Sequence, residues 1–189
     1  MPGELVRWPT DIANGPSLES RNTGWSRNET GIDWRPAGSG ALTRRVLTAR
    51  HDGFLLSDDP DRLDVNLVHR WLSTDAYWAL GRTHDQVRAT IAGSECVGVY
   101  REAGLDQVAF ARVVTDGVVF AYLCDVYVDR AHRGAGIGRW LVRTLREDLA
   151  ARGLRRFLLA TRTAQGVYAP LGFTPVDSAR WMECDLQAT

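Results

Sequence analysis

The chain has 189 residues, 44% of them apolar, which suits one domain with a buried core and room for an extension. Its 23 basic and 23 acidic residues cancel, which argues against a general nucleic-acid binder. Cys96, Cys124 and Cys184 lie far apart with no CxxC pair, so neither a disulfide framework nor a metal site is expected, and a reducing cytoplasm is the simpler setting.

Residues 1–50 alternate Pro2, Pro9, Pro16 and Pro36 with Gly, Ser, Asn and Thr, and no apolar period persists. They read as a disordered or loosely attached extension, with an incorrectly assigned start as the alternative. The first residues lack the apolar core of a signal peptide, and VLTARHDG after Arg44-Arg45 is a poor export signal. The domain proper is expected over 51–189. Asp61 or Asp64 caps a helix carrying Leu63, Leu67, Val68, Trp71 and Leu72, and a second helix runs from Asp85 to Ala92. Strands follow from Cys96, Val108 and Val118, separated by turn signals at Glu102–Gly104 and Thr115–Gly117. The run from Gly117 to Val128 is too short to span a membrane and is interrupted by Asp125, so no membrane partner is expected.

A glycine-rich turn then opens a helix with Ile137, Leu141, Val142, Leu145 and Leu149 on one face, ending near Gly153. RRFLLAT reads as a fully buried central strand. A short helix around Val167–Leu171 and a last strand over Trp181–Leu186 complete the chain. Helices, an antiparallel meander and a strand–helix–strand unit define an α/β fold with a mixed, mostly antiparallel sheet flanked by helices.

The glycines at 134, 136 and 138 weaken any helix they enter, so the bare backbone must be wanted there. A P-loop is excluded because every basic residue is arginine and no lysine follows the glycines. The GxGxxG fingerprint read from Gly134 ends on Arg139. What fits is Arg133-x-x-Gly136-x-Gly138 between a strand and a helix, where unpaired backbone N–H groups suit a pyrophosphate. A plain helix start with a flexible turn is the alternative.

Two elements later comes TRTAQGVYAPLGFTPV. Together with VYVDRAHRGAGIGRWLVRTL, this segment resembles the GCN5-related N-acetyltransferase (GNAT) superfamily over roughly the last 130 residues. The resemblance implies acetyl-CoA as co-substrate. The strand ending at Val126, Tyr127 and Val128 would hold its pantetheine arm, and the backbone of Arg133, Gly134, Ala135, Gly136, Ile137, Gly138 and Arg139 its pyrophosphate. Tyr168, before Leu-Gly-Phe, would protonate the departing thiolate. Where many members carry an Asn contacting the cofactor, this chain has Ala164 and Gln165.

The reaction expected is direct attack by a primary amine, of a small molecule or a protein, in a ternary complex. A backbone N–H near Val126 suits the oxyanion, and a phenol protonated at neutral pH suits the acid. Asp125, a carboxylate in an apolar strand, is the first candidate to hold or deprotonate the amine; pairing with an arginine is its structural alternative. Strict alternation sets it opposite Val126 and Val128 unless a bulge intervenes, with Tyr122 and Cys124 as weaker candidates. Trp71, Tyr77 and Trp78 are expected to wall the acceptor pocket, where aromatics could clamp a cation; core packing is the alternative. A non-catalytic acyl-CoA sensor or partner-binding module is the competing function. No nucleic-acid partner is expected, and a homodimer is allowed.

Overall fold

Short turn-forming pairs between apolar runs decide how this chain folds back on itself. A computed structural model describes residues 27–28, 31–32, 46–184 and 186. It divides into two units, Met1–Arg45 and Val46–Thr189. In the first, β1 (Arg27–Asn28) pairs antiparallel with β2 (Gly31–Ile32). The expectation of a disordered or loosely attached extension otherwise lies outside the described residues.

The second unit is built on one sheet in the order β3 (Thr48–His51), β4 (Phe54–Ser57), β5 (Glu95–Arg101), β6 (Gln107–Thr115), β7 (Phe120–Val128) and β8 (Arg156–Leu159). The first five strands pair antiparallel and β8 joins β7 in parallel. Asp52-Gly53, with φ of 47° and 76°, closes the β3–β4 hairpin in the two-residue geometry that asparagine, aspartate and glycine tolerate. β3 begins at Thr48, inside the first fifty residues, where the sequence pattern predicts no strand.

Asp64 caps α1 (Val65–Thr74) by accepting from the Leu67 N–H. Thr83 and Gln86 form a capping box at α2 (His84–Ala92). The glycine turn opens α3 (Ile137–Ala151), whose buried stripe is Ile137, Leu141, Val142, Leu145 and Leu149. That stripe packs on one sheet face with Val97, Val99, Ala109, Ala111, Val113, Ala121 and Leu123. On the opposite face Val68, Trp71, Leu72 and Val87 enclose Phe110 and Tyr127. The result is an α/β fold with a mixed, mostly antiparallel sheet flanked by helices.

Three differences from the expected elements matter. Among the described residues β8 is the sheet's edge and is half-buried, not a fully buried centre; its apolar run reflects packing below α3 with no described strand beyond it. Residues 181–184 lie in no strand. The short helix starts earlier than expected, as α4 (Gln165–Tyr168), and passes into a 3-10 turn, Ala169–Leu171, stopped by Gly172 at φ 87°.

The pairing of β6 with β7 is interrupted between Phe110↔Tyr127 and Arg112↔Cys124, two steps along β6 against three along β7. This is a bulge centred on Asp125, whose φ is 50°. Ala121 and Leu123 face α3 before it, and Val126 and Val128 pack against that same cluster after it. Cys124, opposite Arg112, and Tyr127, opposite Phe110, therefore share the α1–α2 face despite their spacing of three.

Candidate functional site

The bulge sits where the sheet opens. β7 and β8 pair from Phe120↔Arg156 to Leu123↔Leu159, but β7 continues to Val128. The backbone of Cys124–Val128 thus runs on past its β8 ladder, with Val126 and Val128 half-buried.

Below the opening, Asp129 caps the 3-10 turn Arg130–His132 through the Ala131 N–H. Gly134 and Gly136 follow with φ of 85° and 79°, values that L side chains rarely adopt. No side chain caps α3, so its first N–H groups face outward beside exposed Gly134, Ala135 and Gly136. The three glycines have different reasons. A Cβ at Gly134 or Gly136 meets nothing within 4 Å, so backbone conformation demands them; at Gly138 it would stand 3.3 Å from Val128 Cγ2, so packing does. Ile137 is buried in the core and Arg139 is exposed.

Arg133 is already engaged. Its Nε donates to the Val128 carbonyl at 2.9 Å, another nitrogen donates to Asp75 Oδ2 at 2.9 Å, and the guanidinium lies 5.2 Å over the Tyr127 ring. Asp75 also pairs with Arg130 and accepts from the Tyr127 hydroxyl at 2.6 Å. Trp71 stacks on Tyr127 at 5.1 Å and its indole donates to Asp129 Oδ2 at 3.2 Å. At 6% exposure Trp71 belongs to the core, the alternative raised for it.

Asp125 lies on the other side of the opening with both carboxylate oxygens engaged. Oδ1 accepts from Trp78 Nε1 at 3.2 Å and from Arg82 at 3.1 Å; Oδ2 accepts from Arg82 at 3.0 Å and Arg112 Nε at 2.8 Å. Arg112 also donates to Ser94 Oγ at 3.0 Å. The arginine pairing foreseen as Asp125's alternative role is therefore present, and doubled. Burial raises the Cys124 thiol and the Tyr122 phenol above their ordinary values, which keeps both protonated and poorly suited as bases.

Tyr77 and Trp78 stand edge to face at 5.0 Å in the loop between α1 and α2, each more than two-fifths exposed. The Arg162 guanidinium lies 4.4 Å over the Tyr77 ring. Tyr168 at the end of α4 is half-buried and edge-on to Phe173 at 5.8 Å. Burial, with a smaller contribution from Tyr77, raises its hydroxyl above the ordinary tyrosine value. Its phenol stays protonated through neutral pH, as a proton donor requires. Sequence reasoning missed Asp75, Arg82, Arg112 and Arg162. Only Arg112 left a signal: a charge inside the apolar run VAFARVV, matching the charge inside the strand that follows.

An α/β sheet opened beside a glycine turn and an uncapped helix defines an acetyltransferase scaffold. The chain belongs to the Acetyltransferase (GNAT) family, whose model matches residues 65–173, from the first turn of α1 to Phe173. A Gibberella zeae protein that carries an acetyltransferase name is 35% identical over 126 residues, 57% of this chain and 71% of that one. A rice (Oryza sativa subsp. japonica) protein named serotonin N-acetyltransferase 2, chloroplastic, is 34% identical over 125 residues, 64% of this chain and 62% of that one. The crystal structure of a GNAT-family protein from Xanthomonas campestris pv. campestris matches with 40% identity and a TM-score of 0.66, covering 72% of this chain and 96% of that one. Acetyl transfer, with the acetyl-CoA donor general in this family, is thus the chemistry of the scaffold. No helix among the described residues is long and apolar enough to cross a membrane.

Proposed function

We propose that this protein transfers the acetyl group of acetyl-CoA to a primary amine of a small molecule or protein, by direct attack in a ternary complex. The observation that carries the reading is the loss of β7–β8 pairing beyond Leu123↔Leu159, directly before the uncapped start of α3. A thioester arm can add its hydrogen bonds to the β7 edge at Val126–Val128 while the α3 N–H groups receive the pyrophosphate. Arg139, exposed in the first turn of α3, adds positive charge there, and Arg133 acts by fixing the turn to Val128 and Asp75.

In this reading the amine lone pair attacks the thioester carbonyl, whose oxygen is met by a backbone N–H near Val126. The carbon–sulfur bond breaks and the thiolate takes the proton of Tyr168 Oη, while the proton shed by the attacking nitrogen returns to that phenolate through solvent, leaving amide, free thiol and a restored phenol. Asp125 serves as a positioning residue: its engaged oxygens hold Trp78 and Arg82, and with them the acceptor loop, against β7. Holding amine and thioester together supplies much of the rate. Cytoplasmic residence goes with this reading, supported by the wide separation of Cys96, Cys124 and Cys184 along the chain with no CxxC pair.

Calorimetric titration with acetyl-CoA tests it. Wild type should bind, and Gly136→Glu, which sets a carboxylate and a disfavoured φ at the helix start, should not. Tyr168→Phe should keep acetyl-CoA binding and lose roughly a hundredfold in kcat. Absence of binding by folded wild type would remove the reading.

A further inference from the structure

The acceptor side of the opening carries more positive charge than its own carboxylates use. Asp125 takes two guanidiniums, Arg82 and Arg112, where one would neutralise it. Arg162 adds a third, and no carboxylate stands within ion-pair distance of it among the described residues. Three guanidiniums thus stand on this side of the opening, two of them sharing the single Asp125 carboxylate.

The position of Arg162 is specific. It follows β8 by three residues and precedes α4, so it hangs at the mouth of the opening. Its guanidinium covers Tyr77, the residue whose phenol bears on the Tyr168 hydroxyl. Arg162 thus covers a ring whose hydroxyl acts electrostatically on the proposed acid. The ring that could have clamped a substrate cation is already occupied by a cation of the protein itself, with its fork of donors free at the edge. A cationic acceptor is disfavoured at such a site, whereas an anion gains a charge-assisted, bidentate partner.

We infer that the acceptor is an amine that also carries an anionic group, and that Arg162 receives that anion beside the reacting amine. This rests on the acetyl-transfer reading above and narrows it. A carboxylate and a phosphate monoester share the required chemistry; an unsubstituted arylalkylamine lacks it.

The test is a thiol-release assay at saturating acetyl-CoA with matched pairs differing only in the anion. The carboxylate arm uses tryptophan with tryptamine, tyrosine with tyramine, and lysine with cadaverine; the phosphate arm uses phosphoethanolamine with ethanolamine. Wild type should favour the anionic member of at least one pair by roughly tenfold or more in kcat/KM, as a charged hydrogen-bond partner implies. That ratio should collapse in Arg162→Gln, partly recover in Arg162→Lys, and the arm that shows it identifies the anion. Equal or reversed preference in every pair overturns the inference, as does a preference that survives Arg162→Gln. So does acetyl-CoA binding without turnover of any pair, which leaves the cofactor assignment standing. A weakened acetyl-CoA Kd in Arg162→Gln would also overturn it, by assigning the guanidinium to the cofactor. Failure of wild type to bind acetyl-CoA would sink the acetyl-transfer reading together with this one.

Discussion

Asp75 and Asp125 are each held by two arginines and one aromatic donor, yet they do different work. Asp75, with its side chain 14% exposed, meets Arg130 and Arg133, which are 73% and 49% exposed. Asp125, 2% exposed, meets Arg82 and Arg112, which are 30% and 11% exposed. Water screens the first set, so it orients the glycine turn against α1 while adding little stability. The second is largely cut off from water, so its members depend on one another: removing one leaves a partly buried charge unmatched. The same composition therefore makes a hinge pin on one side of the opening and a keystone on the other.

The largest expected effect follows from breaking the buried set. Asp125→Ala should lower unfolding free energy by about 3–5 kcal/mol, measured by urea denaturation, because Arg112 loses its counter-charge. Asp125→Asn should fall between that variant and wild type, since asparagine also tolerates a positive φ. If Asp125→Ala costs no more than Asp75→Ala, the distinction is wrong.

Asp75→Ala should cost about 1–2 kcal/mol, mostly the lost Tyr127 hydrogen bond. Titration of that tyrosine separates the two sets further. Burial holds the Tyr127 hydroxyl above the ordinary value of 10.0, against an opposing pull from Arg133. The folded state keeps this proton more tightly than the unfolded chain does, so the contribution is fully present below pH 10 and is lost as pH rises through the folded value. Tyr127→Phe should therefore be destabilised relative to wild type at pH 8, and the gap should narrow above pH 10. A gap that is constant with pH would separate Tyr127 from the Asp75 set. The smallest effect is that of salt. At 1 M NaCl, where the screening length is about 3 Å, the cost of Asp75→Ala should shrink while that of Asp125→Ala holds.

Much of this was legible in the sequence because it is local. Asp64 before an apolar stripe, alternating residues between turn signals, and three glycines at a strand–helix junction each declare themselves within a few positions. Asp52-Gly53 was equally local and was overlooked, which hid β3 and β4. What sequence could not supply was partnership at a distance. Arg82 meets Asp125 across 43 positions and Arg133 meets Asp75 across 58, and nothing in the spacing selects them from 23 arginines. Nor does an apolar strand say whether it is central or at an edge: RFLL carries the same residues in either place, and the lack of a further strand beside β8 among the described residues distinguishes them.

The extra residue at Asp125 makes β7 a strand whose α3-facing positions switch from odd to even midway, its first half feeding the α3 core through Ala121 and Leu123 and its last feeding it again through Val126 and Val128. Such a strand keeps time as well as sequence. Deleting Asp125 would remove the bulge and restore perfect alternation with every native face kept, Tyr127 opposite α3 and the two valines towards it, at the cost of the carboxylate that Arg82 and Arg112 share. Forcing Asp125 into the regular pleat would instead send Tyr127 into the α3 face and the two valines out of it, so what is fixed there is the match between the extra residue and the bulge that absorbs it.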